Sequence, residues 1–168
     1  AIVIAESLAR VGISTEILGF QDELIIFKDA DEPMSDAVRK RMSGMVAEVS
    51  NGNPGGLNHA SYNDDGYCLD RAVRRLRARP QKEKFLIPLS DGQPQPSPTH
   101  AGKQWDLTTI IARIQKEGGV KLVGVGVGPD TQYVRTYHKN SLVEPNVAKF
   151  PESLAALFED MIVNPETY

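Results

Sequence analysis

The chain has 168 residues, 40% of them apolar and 24% charged, with a formal net charge of −3. That balance suits one globular domain with a real core and excludes a disordered or fibrous chain. The net negative charge argues against nucleic acid as the main partner. The lone cysteine, Cys68, leaves no disulfide framework or thiolate metal site, and no run is long and apolar enough to cross a bilayer. A cytoplasmic protein without membrane attachment is the expectation from these features.

In chain order, Ala1, Ile4, Ala5, Leu8 and Val11 recur at helical spacing, and Gly12 supplies the stop. This helix opens without a Ser, Thr, Asp or Asn cap, so the chain reads as cut within or just before it. Ile13–Phe20 and Leu24–Lys28 are rich in β-branched and aromatic residues and read as strands, paired antiparallel across Gln21-Asp22-Glu23. Ser35 caps a helix expected to run to about Val49, with Val38, Met42, Met45, Val46 and Val49 inward. Residues 50–65 form a loop by composition.

A helix with Leu69, Ala72, Val73 and Leu76 inward precedes the strand Lys84–Leu89, in which Pro88 removes one ladder donor and predicts an irregularity. Residues 93–103 are a Pro-rich loop. Asp106 caps a helix carrying Leu107, Ile110, Ile111 and Ile114, closed by Gly118-Gly119. Val120–Val127 reads as a strand, Thr131–His138 as a short helix and Ser141–Val143 as a short strand. The last helix, Pro151–Val163, is expected to bury Leu154, Leu157, Phe158, Met161 and Ile162. Strands alternating with helices at this spacing predict a doubly wound α/β fold, a mostly parallel sheet with helices on both faces, in one domain over residues 1–168.

The chemistry concentrates in Phe85-Leu86-Ile87-Pro88-Leu89-Ser90-Asp91-Gly92-Gln93-Pro94, an apolar strand ending abruptly in a carboxylate. The carboxyl ends of strands are where open α/β sheets place ligands, and Gly92 allows a sharp turn there. The oxygen-only chemistry of Asp91 suits a hard cation such as Mg²⁺. Asn63-Asp64-Asp65-Gly66 forms a second oxygen-rich loop just before a helix, where it can converge with Asp91 on one cation. The plainer readings are turn chemistry at Asp91-Gly92 and helix capping by Asn63, Asp64 or Asp65.

Other features have structural explanations. Arg71, Arg74, Arg75, Arg77 and Arg79 crowd one helix; they read as a solvated face whose stems cover the core edge, with a phosphate-binding or acidic-partner surface as the alternative. His59, His100 and His138 lack zinc-ligand spacing and read as structural or exposed. Gly124, Gly126 and Gly128 lie inside a strand rather than in the turn after it, so they suit a close helix approach better than a dinucleotide. Trp105 and Tyr62 lie in or beside the loops of the candidate site, either packed beneath them or placed to anchor a partner.

The ordered set ARVGISTEILGF, NDDG before a helix, FLIPLSDGQP and VKLVGVGVGPDT resembles the von Willebrand factor A domain, most closely that of the cobaltochelatase T subunit and its relatives. The resemblance covers essentially the whole chain. It implies a metal-ion-dependent adhesion site holding Mg²⁺, with Mn²⁺ or Ca²⁺ as alternatives. By position, Asn63 and Asp91 are its ligands and Asp65 a nearby candidate. The family's Asp-x-Ser-x-Ser loop and its central first strand have no counterpart in these residues, which implies a weakened site. It also implies a sheet prone to instability or aggregation unless that strand comes from elsewhere.

The implied function is an interaction module whose metal captures a partner's acidic side chain. The implied partner is a ring-forming AAA+ ATPase, within a cobaltochelatase-like assembly in which this chain is a non-catalytic subunit. The alternatives are a metal- or nucleotide-dependent α/β enzyme and a degenerate, metal-free scaffold.

Overall fold

A computed structural model describes residues 2–45, 62–90 and 93–168. Helix α1, Ile2–Arg10, buries Ala5 and ends at Gly12, whose φ of 77° is a conformation that favours glycine. Val11 departs from the expected apolar stripe. It lies in the turn after α1 and is 68% exposed.

Strands β1, Ile17–Phe20, and β2, Leu24–Lys28, form the expected antiparallel hairpin, with Phe20 opposite Leu24 and a bulge between Ile17 and Leu18. The first of them starts four residues later than the composition suggested. Helix α2, Asp36–Ser43, is capped by Ser35 Oγ, which accepts from Val38 N at 3.3 Å, and it buries Val38 and Met42. It closes at Gly44, short of the expected Val49; Val46 and Val49 lie outside the described residues. Ala5, Phe27, Val38 and Met42 form the core between α1, α2 and the hairpin.

The second core is larger. Helix α3, Asp65–Arg77, and helix α4, Leu107–Glu117, bring Leu69, Val73, Leu107, Ile110, Ile111 and Ile114 against Val120 and Leu122. Burying each such side chain contributes roughly 1.5–3 kcal/mol, so this seam dominates the fold. Asp106 caps α4 by accepting from Thr109 N at 3.0 Å, and Gly118, at φ 63°, ends it.

The run from 85 to 90 is one strand broken in two. Strands β3, Phe85–Leu86, and β4, Leu89–Ser90, both pair in parallel with β5, Lys121–Val127. Phe85 faces Lys121 and Leu89 faces Val125, so the register does not slip across the break. The interruption falls at Ile87-Pro88, where the proline has no N–H to give. A short helix α5, Val134–Tyr137, leads to β6, Asn140–Glu144, which pairs in parallel with β5.

Helix α6, Phe150–Val163, buries Leu154 and Met161, two turns apart. Ile162 was expected inside but is 55% exposed. It sits one residue past Met161, roughly 100° around the helix from the buried stripe.

Helix α3 ties the two sheets together, packing against β1, β2 and β3. Arg74, Arg75 and Arg77 of this helix, and Arg79 two residues past its end, find acidic partners within the chain. Arg75 pairs with Glu16 and with Asp29 at 3.1 Å, Arg79 bonds Asp31 at 2.6 Å, and Arg74 bonds Asp70 at 2.8 Å. Arg77 pairs with Glu117 and donates to Gly118 O at 3.0 Å. Among the described residues no ladder joins β1 to the 85–90 strand, where the resemblance places a further central strand. The architecture is α/β with a mostly parallel sheet, as the element pattern predicts.

Candidate functional site

The carboxyl ends of β4 and β5 and the amino end of α3 meet at one rim. Ser90, the last residue of β4, lines a cavity of about 10 Å³ together with Asp65, Tyr133 and His138. Its hydroxyl lies 2.9 Å from Tyr133 Oη. Asn63 forms an antiparallel bridge with Gln95, its N–H donating to Gln95 O at 3.0 Å, and its Nδ2 donates to Gln93 O at 3.1 Å. Asn63 therefore sits beside Gln93 and Asp65 beside Ser90, the residues that flank Asp91-Gly92 in sequence. Asp91 itself lies outside the described residues.

Asp65 carries the most telling side chain of the rim. Its Oδ2 is buried and has no hydrogen-bond partner. Burial pushes its carboxyl up to about 7, and the neighbouring Asp64 adds to the rise. A buried carboxylate in this condition is stabilised by a cation, and its oxygen chemistry matches a hard one. Among the described residues no three His, Cys, Asp or Glu side chains come together to hold a metal. Asp65 and Asn63 would thus hold such an ion only with Asp91.

Asp64 overturns the capping alternative for its own position. It occupies the N-cap of α3, yet its side chain makes no cap hydrogen bond. Its backbone N–H donates to Gln21 O at 2.9 Å, tying the rim to the hairpin. Its Oδ2 accepts from Ser97 N at 3.3 Å and lies 2.6 Å from His100 Nδ1. The His100 ring stacks on Tyr67 at 3.7 Å between centroids, and Trp105 meets Tyr67 edge-on at 5.1 Å.

These groups were missed as a unit by sequence reasoning. Asp64 and His100 are far apart along the chain, and only the docking of the Pro-rich loop on α3 joins them. Gly66 was the available signal: a Cβ there would stand 1.8 Å from Trp105 O. Only glycine permits that approach.

Ser97, His100 and Asp64 invite comparison with a hydrolytic triad, but the geometry is wrong. A relay needs the two ring nitrogens to serve different partners. Here Ser97 Oγ, at 3.3 Å, and Asp64 Oδ2 share Nδ1, and Ser97 is only 2% exposed. The cluster holds the loop in place. Cys68 is equally inert, because burial, reinforced by Asp64, pushes its thiol far up.

A family model described as the von Willebrand factor A (VWA) domain of the cobalamin biosynthesis protein CobT matches residues 22–162. The chain belongs to this family. No solved structure matches it at a significant level. In this CobT-type VWA domain Gly124 and Gly126 of β5 serve packing, as the sequence suggested, whereas Gly128 lies just past the strand and is required instead by its φ of 105°, with nothing within 4 Å of an added Cβ. A Cβ at Gly124 would meet the His138 ring at 2.3 Å, and one at Gly126 would meet Thr131 Oγ1 at 2.7 Å. No helix among the described residues of the domain is long and apolar enough to cross a membrane. Trp105 lies half-buried against the second core, and Tyr62 is half-buried beside Asn63 in the chain.

Proposed function

We propose that this CobT-type VWA domain is a Mg²⁺-dependent protein-interaction module of the cytoplasm. One observation carries the reading: a buried Asp65 carboxylate oxygen without a partner, at the strand-end rim that leads directly into Asp91. Asn63, Asp65 and Asp91 are the residues that would hold the ion, with Mn²⁺ or Ca²⁺ as substitutes. When bound, the ion supplies an open coordination position that a partner's Asp or Glu completes. The chain's own part is to present its ligands on a rim fixed by the α3–α4 core.

The partner that suits the family is a ring-forming AAA+ ATPase, in an assembly that inserts cobalt into a tetrapyrrole during cobalamin biosynthesis. In that setting the domain is a non-catalytic subunit. Neither nucleic acid nor membrane enters this reading. The Asp64–His100 arrangement gives an enzymatic alternative no support.

Asp91→Ala is expected to abolish Mg²⁺-dependent capture of the ATPase while leaving the circular dichroism spectrum unchanged. Capture that is equal for the variant and the natural chain, in Mg²⁺ and in chelator alike, would defeat the proposal.

A further inference from the structure

The outward seam between α3 and α4 carries a charge excess that the ion pairs of the fold do not remove. The two helices run side by side in the same direction. Gly66 lies against Trp105 and Leu107 at one end, and Arg77 reaches Glu117 and Gly118 at the other. Between these ends Asp70, whose side chain is 6% exposed, holds two guanidinium groups. Its Oδ2 accepts from Arg74 Nε at 2.8 Å and its Oδ1 from Arg113 Nη2. Both cations stay open to solvent, Arg74 at 65% and Arg113 at 38%. Arg71 and Lys116, one turn from them on either helix, are exposed and have no acidic partner among the described residues.

The balance along the seam is positive. Arg71, Arg74, Arg77, Arg113 and Lys116 face Asp70 and Glu117, with Glu23 at the edge, where it meets Tyr67 Oη at 3.5 Å. Towards the hairpin, Arg75 and Arg79 are matched by Glu16, Asp29 and Asp31. Asp65 and Asp106 lie at the amino ends of the two helices, on the rim. A chain of net charge −3 thus concentrates positive charge on one seam.

We propose that this seam docks an acidic segment of a protein partner, one carboxylate of which lies between Arg74 and Arg113, opposite Asp70. Two guanidinium groups on one carboxylate form an ion cluster that lacks its second anion, and both forks keep N–H donors that Asp70 does not use. Arg71 and Lys116 take further carboxylates of the same segment. Nucleic acid is the poorer occupant, since a long polyanion also meets the negative charge of the rest of the chain. The seam is separate from the Asp65–Asp91 position and needs no metal, so it stands independently of the cation reading.

The experiment follows the anisotropy of fluorescein-labelled hexaglutamate added to the protein in EDTA, with hexaglutamine as the neutral peptide. Saturable binding of hexaglutamate, weakened several-fold from low to physiological ionic strength, and no binding of hexaglutamine are expected. Arg74→Gln leaves Asp70 paired with Arg113 and is expected to weaken binding by about tenfold, as for loss of a charged hydrogen bond. Arg71→Gln with Lys116→Gln, which breaks no ion pair of the fold, is expected to weaken it several-fold. Arg10→Gln with Lys40→Gln removes the same charge from α1 and α2 and is expected to leave binding unchanged. Should Arg74→Gln fail to fold, the comparison of the two double variants decides the matter. The proposal is overturned by equal binding of the two peptides, by no binding of hexaglutamate, by equal losses in the two double variants, or by tighter binding of hexathymidylate than of hexaglutamate.

Discussion

Gly66→Ala is expected to cost about 3 kcal/mol or more, or to prevent folding outright, because it forces an atom into occupied space. The added Cβ would stand 1.8 Å from Trp105 O and 2.9 Å from its carbonyl carbon. These are backbone atoms, so no rotamer change relieves the overlap. Either α3 shifts away from the Pro-rich loop or the loop detaches, and Asp64 then loses Ser97 and His100. Thermal unfolding of the variant measures the effect. A midpoint within about 3 °C of the natural chain would show that the loop is not docked on α3 in this way.

The second large effect is a loss of stability in acid traced to His138. This residue is 7% exposed, its Nδ1 has no hydrogen-bond partner, and burial lowers its pKa to about 4. In the unfolded chain the imidazole titrates near 6.5. The unfolded state therefore binds the proton first, and stability contributed by the neutral buried ring is full above pH 6.5. It is lost as pH falls from 6.5 towards 4, by about 3 kcal/mol in all.

Asp65 acts in the opposite sense. Its pKa, raised to about 7 from 3.8, makes the folded state less stable as pH climbs through that window. A His138→Gln comparison separates the two, since Asp65 is common to both proteins. The natural chain's stability relative to the variant should fall by about 3 kcal/mol between pH 6.5 and 4. Parallel pH profiles, or a His138 resonance titrating near 6.5, would contradict the burial of this ring.

The sequence and the structure agree most closely where a local device fixes the backbone. Pro88 marked the interruption between β3 and β4, and Asp106 with Gly118 marked both ends of α4. The apolar periodicity of α3 and α4 identified the residues of the larger core, because a buried helix face leaves a 3.6-residue trace. The same periodicity misplaced Val11 and Ile162, since an apolar residue at an element's end carries no information about what covers it.

Within the candidate site, the oxygen-rich loop at Asn63–Asp65 was readable as chemistry, and its place beside Ser90 and Gln93 follows from the strand order. The Asp64–His100 contact was not readable. It depends on how an irregular Pro-rich loop returns to α3, which no local pattern encodes. Gly66 also concealed its role, because Asp-Gly is ordinary turn chemistry while its reason here is the nearness of Trp105. The arginines in and just after α3 look like a free basic face in one dimension, yet in three Arg75 and Arg79 pair with Glu16, Asp29 and Asp31 of the hairpin region, Arg74 with Asp70 and Arg77 with Glu117.

Anomalous diffraction from crystals of the protein grown with Mn²⁺ addresses the central point most directly. Manganese scatters anomalously and takes oxygen ligands, so its position can be located independently of the protein atoms. The expected result is one strong peak bonded to carboxylate oxygens of Asp65 and Asp91, with Asn63 alongside. A peak elsewhere on the molecule, or none at saturating Mn²⁺, would contradict a cation held at the strand-end rim.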